Sequence, residues 1–180
     1  MKIGKAKVDI LHEDITSVDT DVVVNPANNM LWMGGGISSA IRKAGGTSIE
    51  TEALSKAPAE IGSAVVTSGG DLKARWVIHA VISGQNLSTD NESIRRAVRA
   101  SFAKVNEIGC TSIAVPLLNT SDFDIEVHLV ARIIVDEMVN FLITENRTLV
   151  HVVLMEHDER VKNVFTETLR EKFTKHDCKH

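Results

Sequence analysis

The residues best suited to chemistry gather in one stretch of this chain. Gly34, Gly35 and Gly36 stand directly before Ile37-Ser-Ser-Ala-Ile-Arg-Lys-Ala44, whose pattern predicts a helix ending at Gly45-Gly46. Glycines let a backbone approach a ligand closely, and a helix start offers unpaired N–H groups at a positive dipole end. Together they suit a phosphate or diphosphate. The stretch is neither a P-loop, since no Gly-Lys-Ser/Thr follows, nor G-x-G-x-x-G. A tight connection needing positive φ explains the same glycines equally well. Upstream, Asn25-Pro26-Ala27-Asn28 closes a run of valines and carries two amides that can donate and accept.

Other reactive types are scattered. Glu13 and Asp14 are adjacent, and neighbours on a strand-like segment point to opposite sides, so they form no acid/base pair. His79 lies in a Val/Ile-rich strand, the setting of a core histidine with a satisfied ring. Trp32 precedes the glycines, placed either to cover a ligand or to pack under the loop. The seven histidines show no helical His-x3-His pair and the two cysteines, Cys110 and Cys178, no metal-ligand spacing, so neither a metal site nor a cofactor is expected. Cys110, just before an apolar strand, is expected in or near the core.

Alternating strands and helices must position these residues. Strands are predicted over Lys5–Leu11, Asp21–Val24 (ending at the Asn25-Pro26 turn signal), Ser63–Thr67, Trp76–Ile82, Ser112–Leu118 and Thr148–Met155. After the helix at Ile37, helices are predicted over Thr47–Ala57, with Thr47 or Ser48 near the N-cap, and over Asp90–Ile108, stopped by Gly109. Two more are expected over Ile125–Leu142 and Val161–Phe173. This order favours a largely parallel or mixed sheet with helices on both faces, where ligands bind beyond the carboxyl ends of the strands. Three segments fall there: Asn25–Ser38, Asn119–Asp124 and Glu156–Arg160.

The chain has 180 residues, 43% hydrophobic and 24% charged, which suits one soluble domain. Residues 1–174 are expected to form it, with 175–180 as a polar tail. A formal charge of −4 gives no electrostatic reason to expect nucleic acid as partner. No apolar run is long enough for a membrane span, and the start lacks a secretory pattern, so a cytoplasmic protein is expected.

His12-Glu-Asp-Ile-Thr16, Asp21-Val-Val-Val-Asn-Pro-Ala-Asn28 and Met33-Gly-Gly-Gly-Ile-Ser-Ser-Ala-Ile-Arg-Lys-Ala-Gly-Gly46 together resemble the macro-domain family. Ile61-Gly-Ser-Ala-Val-Val-Thr67, Trp76-Val-Ile-His-Ala80 and Ser112-Ile-Ala-Val-Pro116 extend the resemblance along nearly the whole chain. It implies a three-layer α/β/α fold on a mixed sheet, and ADP-ribose or a related derivative as ligand, free or attached to protein. Asp14 matches the acid that accepts from the adenine amino group, with the Ile15 backbone nearby; its plainer role is a turn or N-cap aspartate. Asn28 matches the asparagine near the distal ribose, and Asn25 is expected to bond the loop backbone. Gly34, Gly35, Gly36, Ile37 and Ser38 match the first diphosphate loop.

Two departures stand out. Hydrolytic relatives often carry an aspartate at the position held here by Ser38, so an enzyme removing acyl or ADP-ribosyl groups would rely on Asn28 to position substrate or water and on the Ser38 hydroxyl. The second phosphate loop, usually glycine-rich, is Asn119-Thr120-Ser121-Asp122-Phe123-Asp124. Asn119 and Ser121 can donate hydrogen bonds, Thr120 keeps the family's threonine, and Phe123 can supply a stacking face. Asp122 and Asp124 repel a diphosphate unless they point away or hold a cation, which motivates a third alternative, a macro-like scaffold with another ligand or partner.

Overall fold

The computed structural model describes residues 1–118, 126–157 and 163–174. Its strands are β1 (Lys2–Ile3), β2 (Ala6–Leu11), β3 (Val22–Asn28), β4 (Ala64–Ser68), β5 (Trp76–Ser83), β6 (Ser112–Pro116) and β7 (His151–Met155). The helices are α1 (Gly36–Gly45), α2 (Thr47–Ser55), α3 (Asn91–Ile108), α4 (Val127–Thr144) and α5 (Val164–Thr174). The strands form one mixed sheet in the order β1-β2-β7-β6-β3-β5-β4. The five inner strands are parallel, while β1 and β4 pair antiparallel to β2 and β5.

Side-chain alternation along β3 explains the layering. Val22 and Val24 join the large cluster that also holds Phe102 of α3, Met138 of α4 and Phe165 of α5. Val23 faces the other way, into a cluster with Ile41 of α1 and Ile49 of α2. Three helices therefore cover one face and two the other, the expected three-layer α/β/α fold. Phe102 and Phe141 stack at a centroid separation of 5.3 Å between α3 and α4. Glu137, nearly buried on α4, accepts from Arg95 at 2.8 Å and from Arg99 at 2.9 and 3.2 Å, fastening those helices together.

Several boundaries differ from the sequence expectation. β3 runs through the turn signal to Asn28, because β6 pairs only with Val22 and Val23 and no ladder bond on that side is demanded of Pro26. The N-cap of α2 is Gly46, directly before Thr47, so Thr47 and Ser48 lie near the cap as expected. At α3 the Asp90 side chain caps the N-terminus by accepting from Ser93 N at 2.7 Å, and Gly109 closes the C-terminus with φ +70°. Cys110 is buried, which pushes its thiol pKa up. No described helix is long and apolar enough to cross a membrane. The tail at 175–180 falls outside the described residues.

α1 is set on the sheet by a close backbone crossing. Asp71 N donates to Gly45 O at 2.9 Å, and a Cβ on Gly70 would stand 2.1 Å from that same oxygen. Gly70 also has φ +54°, in the left-handed region. Gly70→Ala thus combines a disfavoured conformation with a clash against backbone. Urea unfolding should show a loss of about 3 kcal/mol or more, since neither strain can be relieved by a side-chain rotation.

Candidate functional site

β3 delivers its last residues to the carboxyl end of the sheet, where the chain turns away from β6. The connection from β3 leads toward β4 and β5, whereas β6 leads by α4 to β7. Neighbouring strands that depart in opposite directions open a crevice between their ends. One wall of that crevice is residues 29–36.

This wall is held by side chains behind it. Asn28 closes the turn with both ends of its amide: Nδ2 donates to Trp32 O at 3.0 Å, and Oδ1 accepts from Met30 N at 3.0 Å. Leu31, buried within this turn, has φ +60°. Glu50 of α2 accepts from Met33 N at 2.5 Å and from Arg42 at 3.2 Å. Its carboxylate clamps the residue just before the glycines, a contact that no local pattern in the sequence announces. The three glycines themselves are exposed. Gly36 has φ +55°, and a Cβ on Gly35 or Gly36 would meet nothing within 4 Å.

Behind the glycines, α1 begins without a side-chain cap and without an acid in its first turn. Its first backbone bond is Ser39 N to Gly35 O at 3.3 Å, so the N–H groups of Gly36, Ile37 and Ser38 precede the helical ladder. Donors at the positive end of a helix, beside open space, form a receptor for an anionic oxygen.

The Ser38 side chain turns the other way. Its hydroxyl lies 2.9 Å from Asn25 Oδ1 and 3.1 Å from Pro26 O, both acceptors beneath the loop. Asn25 Nδ2 in turn meets His79 Nδ1 at 3.1 Å, and His79 Nε2 meets Thr67 Oγ1 at 2.9 Å. Strand register dictates this contact: Asn25 and His79 pair directly across β3 and β5. Asn25 thus bonds side chains and not the loop backbone expected of it. All four residues are buried. The asparagine amide donates to Nδ1, which must therefore be bare, while Nε2 carries the proton and donates to Thr67. The Thr67 hydroxyl passes its own hydrogen to Ser68 O at 3.2 Å. A neutral ring satisfies every member, as a buried network requires.

Asp14 and Ile15 occupy the same end of the sheet, beyond β2. Asp14 is exposed, and its Oδ1 accepts from Thr16 N at 2.9 Å and Thr16 Oγ1 at 2.8 Å. It is thus a turn aspartate whose Oδ2 has no bond among the described residues. Ile15 is buried with Met33, Ile37 and Met155, which joins this segment to the glycine loop through one apolar cluster. Three strand spacings separate β2 from β3, about 14 Å. Between them, at the end of β7, Glu156 is buried; it accepts from Asn163 N at 2.9 Å and Phe165 N at 2.6 Å, and His12 Nδ1 lies 3.3 Å away. Asn119, Thr120, Ser121, Asp122 and Phe123 lie outside the described residues, as does 158–162. Among the described residues no cluster of His, Cys, Asp or Glu could hold a metal ion.

Burial pushes the His79 pKa down from 6.5 to about 4. The unfolded imidazole takes up a proton near pH 6.5 that the folded ring refuses until about pH 4. Stability contributed by the neutral ring is therefore full above pH 6.5 and lost as pH falls toward 4, by about 3 kcal/mol in all. Denaturation across that window should show this slope, and His79→Gln should remove about one proton's worth of it. Nitrogen NMR of the wild type should find the Nε2–H tautomer throughout the upper part of the window.

A family profile described as Macro domain matches residues 24–134. A protein of Aquifex aeolicus is 35% identical over 163 residues, spanning 90% of this chain and 97% of its own. A Mycobacterium tuberculosis protein is 36% identical over 118 residues, 66% of this chain but 33% of that one. Among solved structures, the Oceanobacillus iheyensis macrodomain with MES bound has a TM-score of 0.85 at 29% identity, over 97% of this chain and 96% of that one. A point mutant of the same macrodomain with ADPR gives 0.84 at 28% identity over 97% of both chains. The Trypanosoma brucei macrodomain in complex with ADP-ribose, 21% identical, shares the fold with a TM-score of 0.80 over 90% of this chain and 68% of that one. This chain belongs to the macro domain family.

Proposed function

We propose that the protein binds ADP-ribose or a related ADP-ribose derivative, free or protein-linked, across the carboxyl ends of β2, β7, β6 and β3. The observation that carries this reading is the uncapped N-terminus of α1, behind exposed glycines and fixed from below by Asn25, Asn28 and Glu50. Gly34, Gly35, Gly36, Ile37 and Ser38 would cradle the diphosphate through backbone N–H groups. Asp14 Oδ2 would accept from the adenine amino group, beside the Ile15 backbone. Asn28 retains one amide hydrogen and one lone pair for ribose hydroxyls after its two loop bonds. On the family resemblance we also count Asn119, Thr120, Ser121, Asp122 and Phe123, which follow β6 in the chain, among the ligand-binding residues. The structures of the Oceanobacillus iheyensis macrodomain with ADPR and with ADP support the ligand class.

Binding is favoured over hydrolysis by the direction of one side chain. Ser38 stands where a water-orienting carboxylate would be needed, and its single hydroxyl hydrogen is committed to Asn25 and Pro26. Asn28 and Ser38 then act as positioning residues for the loop.

Calorimetry with ADP-ribose should give a saturable isotherm, and Asp14→Ala should weaken it about ten-fold, the worth of one charge-assisted hydrogen bond. Absence of heat up to millimolar ligand would overturn the reading. O-acetyl-ADP-ribose should persist as long with the protein as without it; turnover above the control would restore the hydrolytic alternative.

A further inference from the structure

Trp32 is one of only two tryptophans in the chain, and it is 40% exposed beside the glycine loop. Its neighbours Leu31 and Met33 are both buried, at 1% exposure each. The backbone is fixed on either side of the indole: Asn28 Nδ2 holds Trp32 O, and Glu50 holds Met33 N. Leu31 accepts a left-handed conformation within the same turn. The ring itself rests on Gly34. A Cβ there would stand 2.6 Å from Trp32 Cζ3 and 2.8 Å from Cε3, so only glycine lets the indole lie this close.

An aromatic side chain left open to water forgoes the burial that usually stabilises it. Here the surrounding bonds hold it in the open, two residues from the first glycine of the loop. An aromatic face beside anion donors is placed to meet whatever is bonded to the phosphate. Indole faces pack against apolar C–H surfaces such as one face of a sugar ring, while the ring N–H stays free to donate.

We propose that Trp32 is a specificity-determining residue that packs against the sugar carried on the far phosphate of a nucleoside diphosphate sugar. This assignment rests on the binding reading above, but it concerns a part of the ligand that ADP lacks and ADP-ribose has. Trp32 therefore selects for the sugar and contributes little to holding the nucleoside diphosphate.

ADP and ADP-ribose titrated in parallel separate the two ideas. Wild type should bind both, and Trp32→Ala should lose about ten-fold in ADP-ribose affinity while ADP affinity stays within about two-fold. Trp32→Phe, which keeps an aromatic face, should recover most of the difference. Fluorescence of the unmutated protein gives a second readout. Trp76, at the other end of β3's partner strand, is about 20 Å from the loop. A spectral change on ADP-ribose addition that is larger than with ADP, and absent in Trp32→Phe, supports the assignment. Equal losses for both ligands in Trp32→Ala, or no loss for either, overturn it and leave the binding reading intact. Failure of wild type to bind either ligand overturns both.

Discussion

The contact between Asn25 and His79 is the constraint on which the candidate site depends. Register places the two side chains opposite one another on adjacent parallel strands, on the face covered by α1 and α2. A polar pair buried there is tolerable only when every donor and acceptor is matched. The proton on His79 Nε2, the orientation of the Asn25 amide and the direction of the Ser38 hydroxyl are consequently one arrangement and not three independent ones. Charging the ring would strip Asn25 of its acceptor and place an ion in the core. The network reaches from the β4 edge to the first turn of α1, so the sheet interior and the glycine loop share a single hydrogen-bonding pattern.

A second set of restraints acts from outside the sheet. Glu50 belongs to the first turn of α2, yet its carboxylate reaches back to Met33 and Arg42. The loop is thereby fixed between two helices and a strand by the chain's own contacts. Preorganised donors lose little entropy on binding, which is how a short backbone stretch can hold a strongly hydrated anion.

Much of this was legible in the residues. The run of valines located β3, Asp90 and Gly109 bracketed α3, and the glycines before Ile37 marked the loop. His79 sits in the core as its apolar strand suggested. Other features depend on partners distant in sequence. Pro26 resembles a strand end until the short reach of β6 is known. The two-residue β1 is too brief to show a period. Asn25 is an obvious polar residue whose partner, 54 positions away, only strand register supplies. Glu50 looks like an ordinary surface acid of a helix, and its task emerges only when α2 packs beside residue 33.

Glu156 carries a consequence of another kind. Its buried carboxyl group is shared between the start of α5, through Asn163 and Phe165, and the imidazole of His12 beside the Asp14 turn. The helix after β7 and the edge of the candidate site are therefore joined through one polar group with no access to water. Shortening the chain ahead of residue 163 would do more than remove a helix from the far face. It would leave a carboxyl group in the interior with its principal donors gone, so variation after β7 is restricted by the polar demands of the same sheet end that carries the candidate site.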